Sequence, residues 1–272
     1  MSLRIGVLQT TTGIDAVVNA QALVDGIARL AADGAQIVFT PEMSGVLDRD
    51  RARLTPGLRT EVDDLVLEAV RDAARAHKVW VQLGSLALLP APDAPLPVNR
   101  ALLIDDGGTV VARYDKIHLF DAAPAGGETY RESAGYAPGD RAVLAATPWG
   151  GLGLTVCYDV RFSALYAALR DATIIAVPAA FTRPTGAAHW HVLLRARAIE
   201  TGCFVVAAAQ TGTHADGRST YGHSLVVAPW GEVLLDMGDA VGAAVVDLDL
   251  GAVAAARARV PGLANARGFE RP

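Results

Sequence analysis

Three reactive side chains sit where predicted strands end. Glu42 closes QIVFTPE (36–42), Lys116 follows TVVARYD, and Cys157 follows GLGLTV. Strand ends on one edge of a sheet are where layered α/β proteins build sites, so three side chains distant in sequence can converge there. A thiol is a poor nucleophile until it loses its proton. A neighbouring carboxylate can take that proton as the sulfur attacks. The free N–H groups at the start of the helix expected after Cys157 favour a thiolate and face an oxyanion, and an ammonium stabilises the same oxygen. Cys, Glu and Lys are therefore sufficient for acyl transfer through a thioester. Singly, each has a plainer reading: Glu42 as a capping or surface residue, Lys116 as a solvated cation, Cys157 as a small buried hydrophobe. The second cysteine, Cys203 in TGCFVVAAA, reads as such a hydrophobe.

The elements that must position these residues alternate through the first half of the chain. A strand over 3–9 precedes an amphipathic helix over 16–30, which Gly34 stops. Residues 36–42 read as a buried strand. Residues 60–77 read as a helix burying Val62, Leu65, Val66, Ala69, Val70 and Ala73. WVQLGSLAL (80–88) is the next strand, and DDGG between NRALLID and TVVARYD marks a hairpin. The irregular stretch 121–140 is long for a compact domain, a pattern that often carries function. Strand 151–159 bears Cys157 at its end. A helix from RFSALYAALRDA, a strand over 173–180, a helix over 189–200 and a strand over 204–210 follow. A hairpin turning at Pro229–Gly231, a strand over 242–250 and a short helix over 251–259 complete the chain. The β-α-β-α order implies α/β layers, and the hairpins imply mixed sheets. About a dozen strands are too many for one open sheet, so two packed sheets flanked by helices are expected.

Composition excludes several classes. The 272 residues are 51% hydrophobic and 19% charged, enough for a large core. With no linker or low-complexity tract, one domain over 1–272 is expected. A net charge of −5 without a basic stripe argues against nucleic acid as a partner. No window of about 18 uncharged apolar residues predicts a membrane span. The first residues lack the apolar core of a signal peptide, so a cytoplasmic protein is expected. Two cysteines build no disulfide framework. Gly222-His223-Ser224-Leu225-Val226 lacks the last glycine of a serine-hydrolase elbow. No G-x-G-x-x-G follows a strand, so no dinucleotide cofactor is expected.

FTPEMS (39–44), YDKIHLFD (114–121) and TVCYDVRF (155–162) strongly resemble, in this order, the three motifs of the nitrilase superfamily of carbon–nitrogen hydrolases. The resemblance implies a four-layer α-β-β-α sandwich with two mixed sheets and a triad of Glu42, Lys116 and Cys157. It also implies a second glutamate in the loop after the lysine. Glu132 in RESAGYAPG matches that segment, with Glu128 in GGETY as the competing choice. The implied reaction is hydrolysis of a small amide, releasing ammonia. Glu42 is the proton carrier, Lys116 and the Tyr158 N–H are the oxyanion partners, and Glu132 orients Lys116 and the amide. Residues 180–212 and 221–234 resemble the Nit branch, and AAAQTG with YGHS is more similar to its deaminated-glutathione amidases than to its ω-amidases, which act on α-ketoglutaramate. A carbamoylase or nitrilase is the alternative on the same fold, an inactive binding scaffold the non-enzymatic one, and a redox protein lacks a resolving cysteine. The resemblance implies a homodimer and no cofactor.

Four further residues are substrate-binding candidates: Tyr158, Arg161, Phe181 and Thr182. Arg161 is open to two readings, pairing with Asp159 or binding a substrate carboxylate. Phe181 and Thr182 line the pocket or simply pack. Arg195, Arg197 and Glu200 read as a salt-bridged helix face, and His118 as a residue that orders the lysine loop. His189 and His191, two apart on a helix, point about 200° apart and do not share an ion, so no metal is expected.

Overall fold

The computed structural model describes residues 2–123 and 129–270. In chain order its elements are β1 (Ser2–Gln9), α1 (Ala16–Ala32), β2 (Ile37–Phe39), α2 (Arg51–Leu54), α3 (Leu65–His77), β3 (Trp80–Leu88), β4 (Val98–Ile104) and β5 (Val110–Asp115). There follow β6 (Asp121–Ala122), β7 (Tyr130–Arg131), β8 (Val143–Thr147), β9 (Gly150–Leu154), α4 (Ser163–Ala168), β10 (Ile174–Ala176) and α5 (Arg183–Thr201). The last are β11 (Phe204–Ala207), β12 (Thr211–Thr213), β13 (Ser219–Tyr221), β14 (Leu225–Val227), β15 (Val233–Asp236), β16 (Gly242–Asp249), α6 (Gly251–Arg259) and α7 (Gly262–Asn265).

Two six-stranded mixed sheets form, ordered β16-β1-β2-β3-β4-β5 and β15-β14-β11-β10-β9-β8. The parallel pairs lie at their centres, β1–β2–β3 in one and β9–β10–β11 in the other, and antiparallel strands flank them. Period-two alternation sorts the side chains. Ile37, Phe39, Leu103 and Tyr114 face a core shared with Leu152, Leu154 and Ile174 of the second sheet. Val38, Val81, Leu102 and Ile104 instead pack against Leu23, Ile27 and Leu30 of α1 and Val66 and Val70 of α3. On the far side, Trp190 and Leu194 of α5 join the core of the second sheet. The result is the expected α-β-β-α sandwich. Among the described residues, no helix is long and apolar enough to cross a membrane.

Several boundaries differ from the sequence reading. The helix expected over 60–77 begins only at Leu65. Asp64 caps it by accepting a hydrogen bond from Leu67 N, and Val62 is left 92% exposed in the preceding turn. The strand expected over 36–42 stops at Phe39, because Pro41 has no N–H to donate. The helix expected over 189–200 starts at Arg183, where Pro184 occupies the first turn. The strand expected over 151–159 ends at Leu154, three residues before the cysteine.

Candidate active site

Each reactive residue sits just past a strand, on backbone that its surroundings hold. Glu42 lies in the loop after β2, which crosses directly over β3. A Cβ on Gly84 would stand 2.1 Å from the carbonyl oxygens of Thr40 and Pro41, so only glycine permits the crossing. Gly84 N and Met43 N donate to Thr40 Oγ1 and Ser85 Oγ, each at 2.9 Å, and Gln210 Nε2 donates to Glu42 O at 2.9 Å. Lys116 follows β5, and its N–H continues the ladder to Asn99 O at 2.9 Å. Cys157 opens a 3-10 turn, Cys157–Arg161, at φ 50°, a left-handed conformation uncommon outside glycine. Its N–H donates to Pro178 O at 2.8 Å.

These loops bring the side chains together. Lys116 Nζ donates to Glu42 Oε1 at 2.9 Å and to Glu132 Oε1 and Oε2 at 3.0 and 2.9 Å. Glu42 Oε2 accepts from Ala180 N at 2.8 Å, and Glu132 Oε2 from Phe120 N at 2.6 Å. The Cys157 thiol and the Glu42 carboxyl lie close enough to shift each other's titration. Glu42, Lys116 and Cys157 are all buried, yet all three line one cavity of about 710 Å³ together with Glu132. Glu128 lies outside the described residues.

Burial would raise the Glu42 carboxyl, but the Lys116 charge and hydrogen bonds from Cys157, Lys116 and Asn99 outweigh it and hold Glu42 below its ordinary value. Burial pulls Lys116 down, and the charges of Glu132 and Glu42 more than reverse it. Burial and the Glu42 charge both push the Cys157 thiol up. The free protein therefore holds a carboxylate, an ammonium and a thiol. The thiolate-favouring helix expected after Cys157 is only a five-residue 3-10 turn, too short to offset a buried negative neighbour.

Tyr158, Phe181 and Thr182 line the cavity. Arg161 does not pair with Asp159. Its guanidinium lies over the rings of Tyr158 and Phe181, 5.8 and 5.4 Å from their centroids, and 3.3 Å from His189 Nδ1. Asp159 needs no arginine. Its buried carboxylate accepts from Tyr114 Oη at 2.7 Å, Val156 N at 2.9 Å and His118 N at 3.1 Å, and His118 Nδ1 lies 2.7 Å away. His118, stacked on Phe162 with centroids 3.6 Å apart, thus orders the lysine loop as read from the sequence. Asp159 ties the residues flanking Lys116 to the residue preceding Cys157. Arg197 pairs with Glu200 as expected, whereas Arg195 donates to Gly231 O at 2.8 Å instead.

Three cavity features escaped the sequence reading. Asn99 Nδ2 bridges Glu42 Oε1 at 2.9 Å and Glu132 Oε1 at 3.2 Å, an orientation that leaves its own Oδ1 buried without a partner. Its alternation with the outward Arg100 in NRALLID was the available signal. Tyr136 lies within the field of Glu132 and Arg218, and burial first, then Glu132, raises its phenol. Four arginines, Arg49, Arg51, Arg131 and Arg218, line the cavity. Arg49 and Arg51 share one short stretch, and Arg131 and Arg218 come from two others, so no local motif announces the group.

The carbon-nitrogen hydrolase profile matches residues 4–258. The chain belongs to that family. This hydrolase is 43% identical over 238 residues to a deaminated glutathione amidase of Yersinia enterocolitica, covering 86% of its own length and 82% of the relative's. Its fold matches the C. elegans NitFhit protein with a TM-score of 0.90 at 38% identity, covering 98% of this chain but 65% of that longer one. An amidase from Nesterenkonia sp. AN1, bearing the acetamide moiety of fluoroacetamide on its active-site cysteine, matches with a TM-score of 0.80 at 28% identity, covering 97% and 94%. The hydrolase is an amidase of this family, acting on carbon–nitrogen bonds.

Proposed function

We propose that Cys157 is the nucleophile, Glu42 the proton carrier, Lys116 and the Tyr158 N–H the oxyanion partners, and Glu132 the group that orients Lys116 and the substrate amide. The observation that carries this reading is the buried Lys116 held between two carboxyl groups, with Cys157 on the wall of the same cavity. Sγ attacks the amide carbon while Glu42 takes the thiol proton, which keeps a free thiolate from having to exist at rest. The oxyanion forms beside a preorganised ammonium. Glu42 then passes its proton to the leaving nitrogen as the C–N bond breaks. It next takes a proton from water, whose oxygen attacks the thioester, and returns that proton to sulfur as the acid leaves. Each step uses side chains of this chain and needs no cofactor.

The proposed substrate is a small amide bearing carboxylates, with deaminated glutathione first and α-ketoglutaramate second. Support comes from the arginines of the cavity wall, from Arg161 behind the Tyr158 and Phe181 rings, and from the name of the Yersinia relative. Phe181 and Thr182 pack the acyl chain. The two substrates differ in their leaving group: α-ketoglutaramate releases ammonia, whereas cleaving the amide of deaminated glutathione beside its keto acid releases a dipeptide amine. We also propose a cytoplasmic homodimer. Both cysteines are unpaired, and α5 leaves Val192 and Ile199 exposed. Sedimentation equilibrium checks the dimer.

The test is release of amine and of ammonia, by the protein and its Cys157→Ala variant, from deaminated glutathione, α-ketoglutaramate, a carbamoyl amino acid and a simple nitrile. Cys157-dependent turnover of the first at kcat/KM of about 10⁴ M⁻¹s⁻¹ or more is the expected result. Turnover of only the nitrile or the carbamoyl compound overturns the substrate, and turnover surviving Cys157→Ala overturns the mechanism.

A further inference from the structure

His191 cannot share an ion with His189 on its own helix, but the fold gives it other neighbours. His191 Nε2 lies 2.9 Å from Asp236 Oδ2, and His223 Nδ1 lies 2.8 Å from Asp236 Oδ1. The three side chains are about one-third exposed, at 34%, 27% and 34%. Among the described residues they are the one trio of His, Cys, Asp or Glu whose ligand atoms all lie within 4.8 Å of one another.

Three elements supply them: the middle of α5, the turn between β13 and β14, and the end of β15. Each is held by its surroundings. His223 takes φ 54°, its carbonyl accepts from Trp190 Nε1 at 2.8 Å, and its N–H donates to Gly238 O at 2.6 Å. Gly238 N donates to Asp236 Oδ1 at 3.0 Å. Tyr221 stacks on the His223 ring at 4.4 Å and meets His191 edge-on at 6.2 Å. The carboxylate pairs with two imidazoles and, among the described residues, with no arginine or lysine.

Two imidazoles and one carboxylate suit a borderline divalent ion such as Zn²⁺ or Co²⁺. Ligand atoms about 2.0 Å from a tetrahedral ion stand roughly 3.3 Å apart. The ligand atoms, one per residue, lie within 4.8 Å of one another, so the side chains close by at most about 1.5 Å to reach that spacing, and the exposed side leaves room for water as fourth ligand. The two hydrogen bonds to Asp236 are the plainer use of the same atoms, and metal binding distinguishes the two.

We propose that His191, His223 and Asp236 form a divalent transition-metal site, with water completing the coordination. Each imidazole binds as the neutral tautomer whose proton sits on its other nitrogen, so two N–H···O bonds give way to two metal–nitrogen bonds. The ion ties α5 to the β13–β14 turn and to β15, directly behind the cavity wall. Tyr221 N donates to Phe181 O at 2.9 Å, and Phe181, Thr182 and Thr220 line that wall. The site is a clamp on the wall, apart from the amide chemistry.

The test uses tag-free Cys157→Ala protein, so that the thiol cannot compete and the outcome does not depend on catalysis. Isothermal titration with zinc is expected to give one ion per chain with Kd of about 10⁻⁵ M or tighter, and cobalt(II) visible absorption bands. His191→Gln, Asp236→Asn and His223→Asn, the last keeping a residue that tolerates positive φ, each weaken zinc about tenfold or more. Saturating zinc raises the melting temperature of the parent by about 5 °C and that of the triple variant not at all. Binding no tighter than about 10⁻³ M, or zinc affinity and cobalt bands that survive all three substitutions, overturns the proposal.

Discussion

Two neighbouring ion networks grow from the same pair of strands and face opposite ways. Arg100 on β4 pairs across the ladder with Asp115 on β5. It holds Asp115 Oδ1 at 2.6 Å and Glu61 Oε1 at 2.6 Å, and Arg113 holds Glu61 Oε2 at 2.7 Å. One residue along each strand, Asn99 and Lys116 turn to the other face and meet Glu42 and Glu132. The outer network matches two guanidinium groups to two carboxylates, and Arg113 remains 47% exposed. The inner one sets a single ammonium against two carboxyl groups, with Lys116 2% exposed. Balanced charge that reaches solvent through Arg113 is arranged for stability. Unbalanced buried charge costs stability and leaves a base beside the thiol. The imbalance, more than the presence of charge, marks the site.

The largest effect expected is on turnover. Cys157→Ala removes more than about 10⁴-fold of kcat with the fold intact by circular dichroism. A residual rate near wild type would show that the inner network is structural like the outer one. Lys116→Met comes next, leaving two buried carboxyl groups without their counter-ion, and is expected to lower unfolding free energy by about 3–5 kcal/mol in denaturant titration. Its pH dependence carries a sign. In the wild type the folded-state value of Glu42 lies below its unfolded value of 4.5. Its stabilisation is therefore present above that value and lost as pH falls through the lowered one. Without Lys116, burial dominates and places Glu42 above its unfolded value, so the deficit of the variant shrinks between about pH 8 and pH 4. A constant deficit would refute the coupling.

Glu42→Gln sharpens the contrast from the sulfur side. It removes one of the two causes that raise Cys157 while burial remains. The pH profile of iodoacetamide labelling should therefore move to lower pH. An unmoved profile would mean that the thiol does not sense Glu42. Smallest of all, Arg113→Ala on the outer face, where the side chain is 47% exposed, costs ~1 kcal/mol and leaves kcat unchanged. A kcat loss on the scale of that of Cys157→Ala would erase the distinction between the two faces.

The convergence of Glu42, Lys116 and Cys157 on one cavity was legible in the sequence because all three follow strands and three motifs keep that order. Asn99 was not, since an asparagine inside an apolar strand advertises burial but not which carboxylates it bridges. The Arg161–Asp159 pairing failed because proximity along the chain says nothing about Tyr114 and His118 arriving from the other sheet. Val62 fitted the helical period yet lies before the cap, where period has no meaning. The arginines of the cavity wall are gathered by tertiary assembly, only Arg49 and Arg51 being neighbours along the chain.

Glu42 and Lys116 extend from one sheet, whereas Cys157 and the Ala180 N–H that binds Glu42 extend from the other. The distance between acid and sulfur is thus also the spacing of the two layers, braced at one end by Asp159. This makes catalysis a gauge of interlayer packing. A void opened anywhere in the shared core, at Phe39 or Leu154 for instance, is read out at the sulfur. On heating, such variants lose turnover while their helices, which lie outside both layers, still give an unchanged far-ultraviolet spectrum.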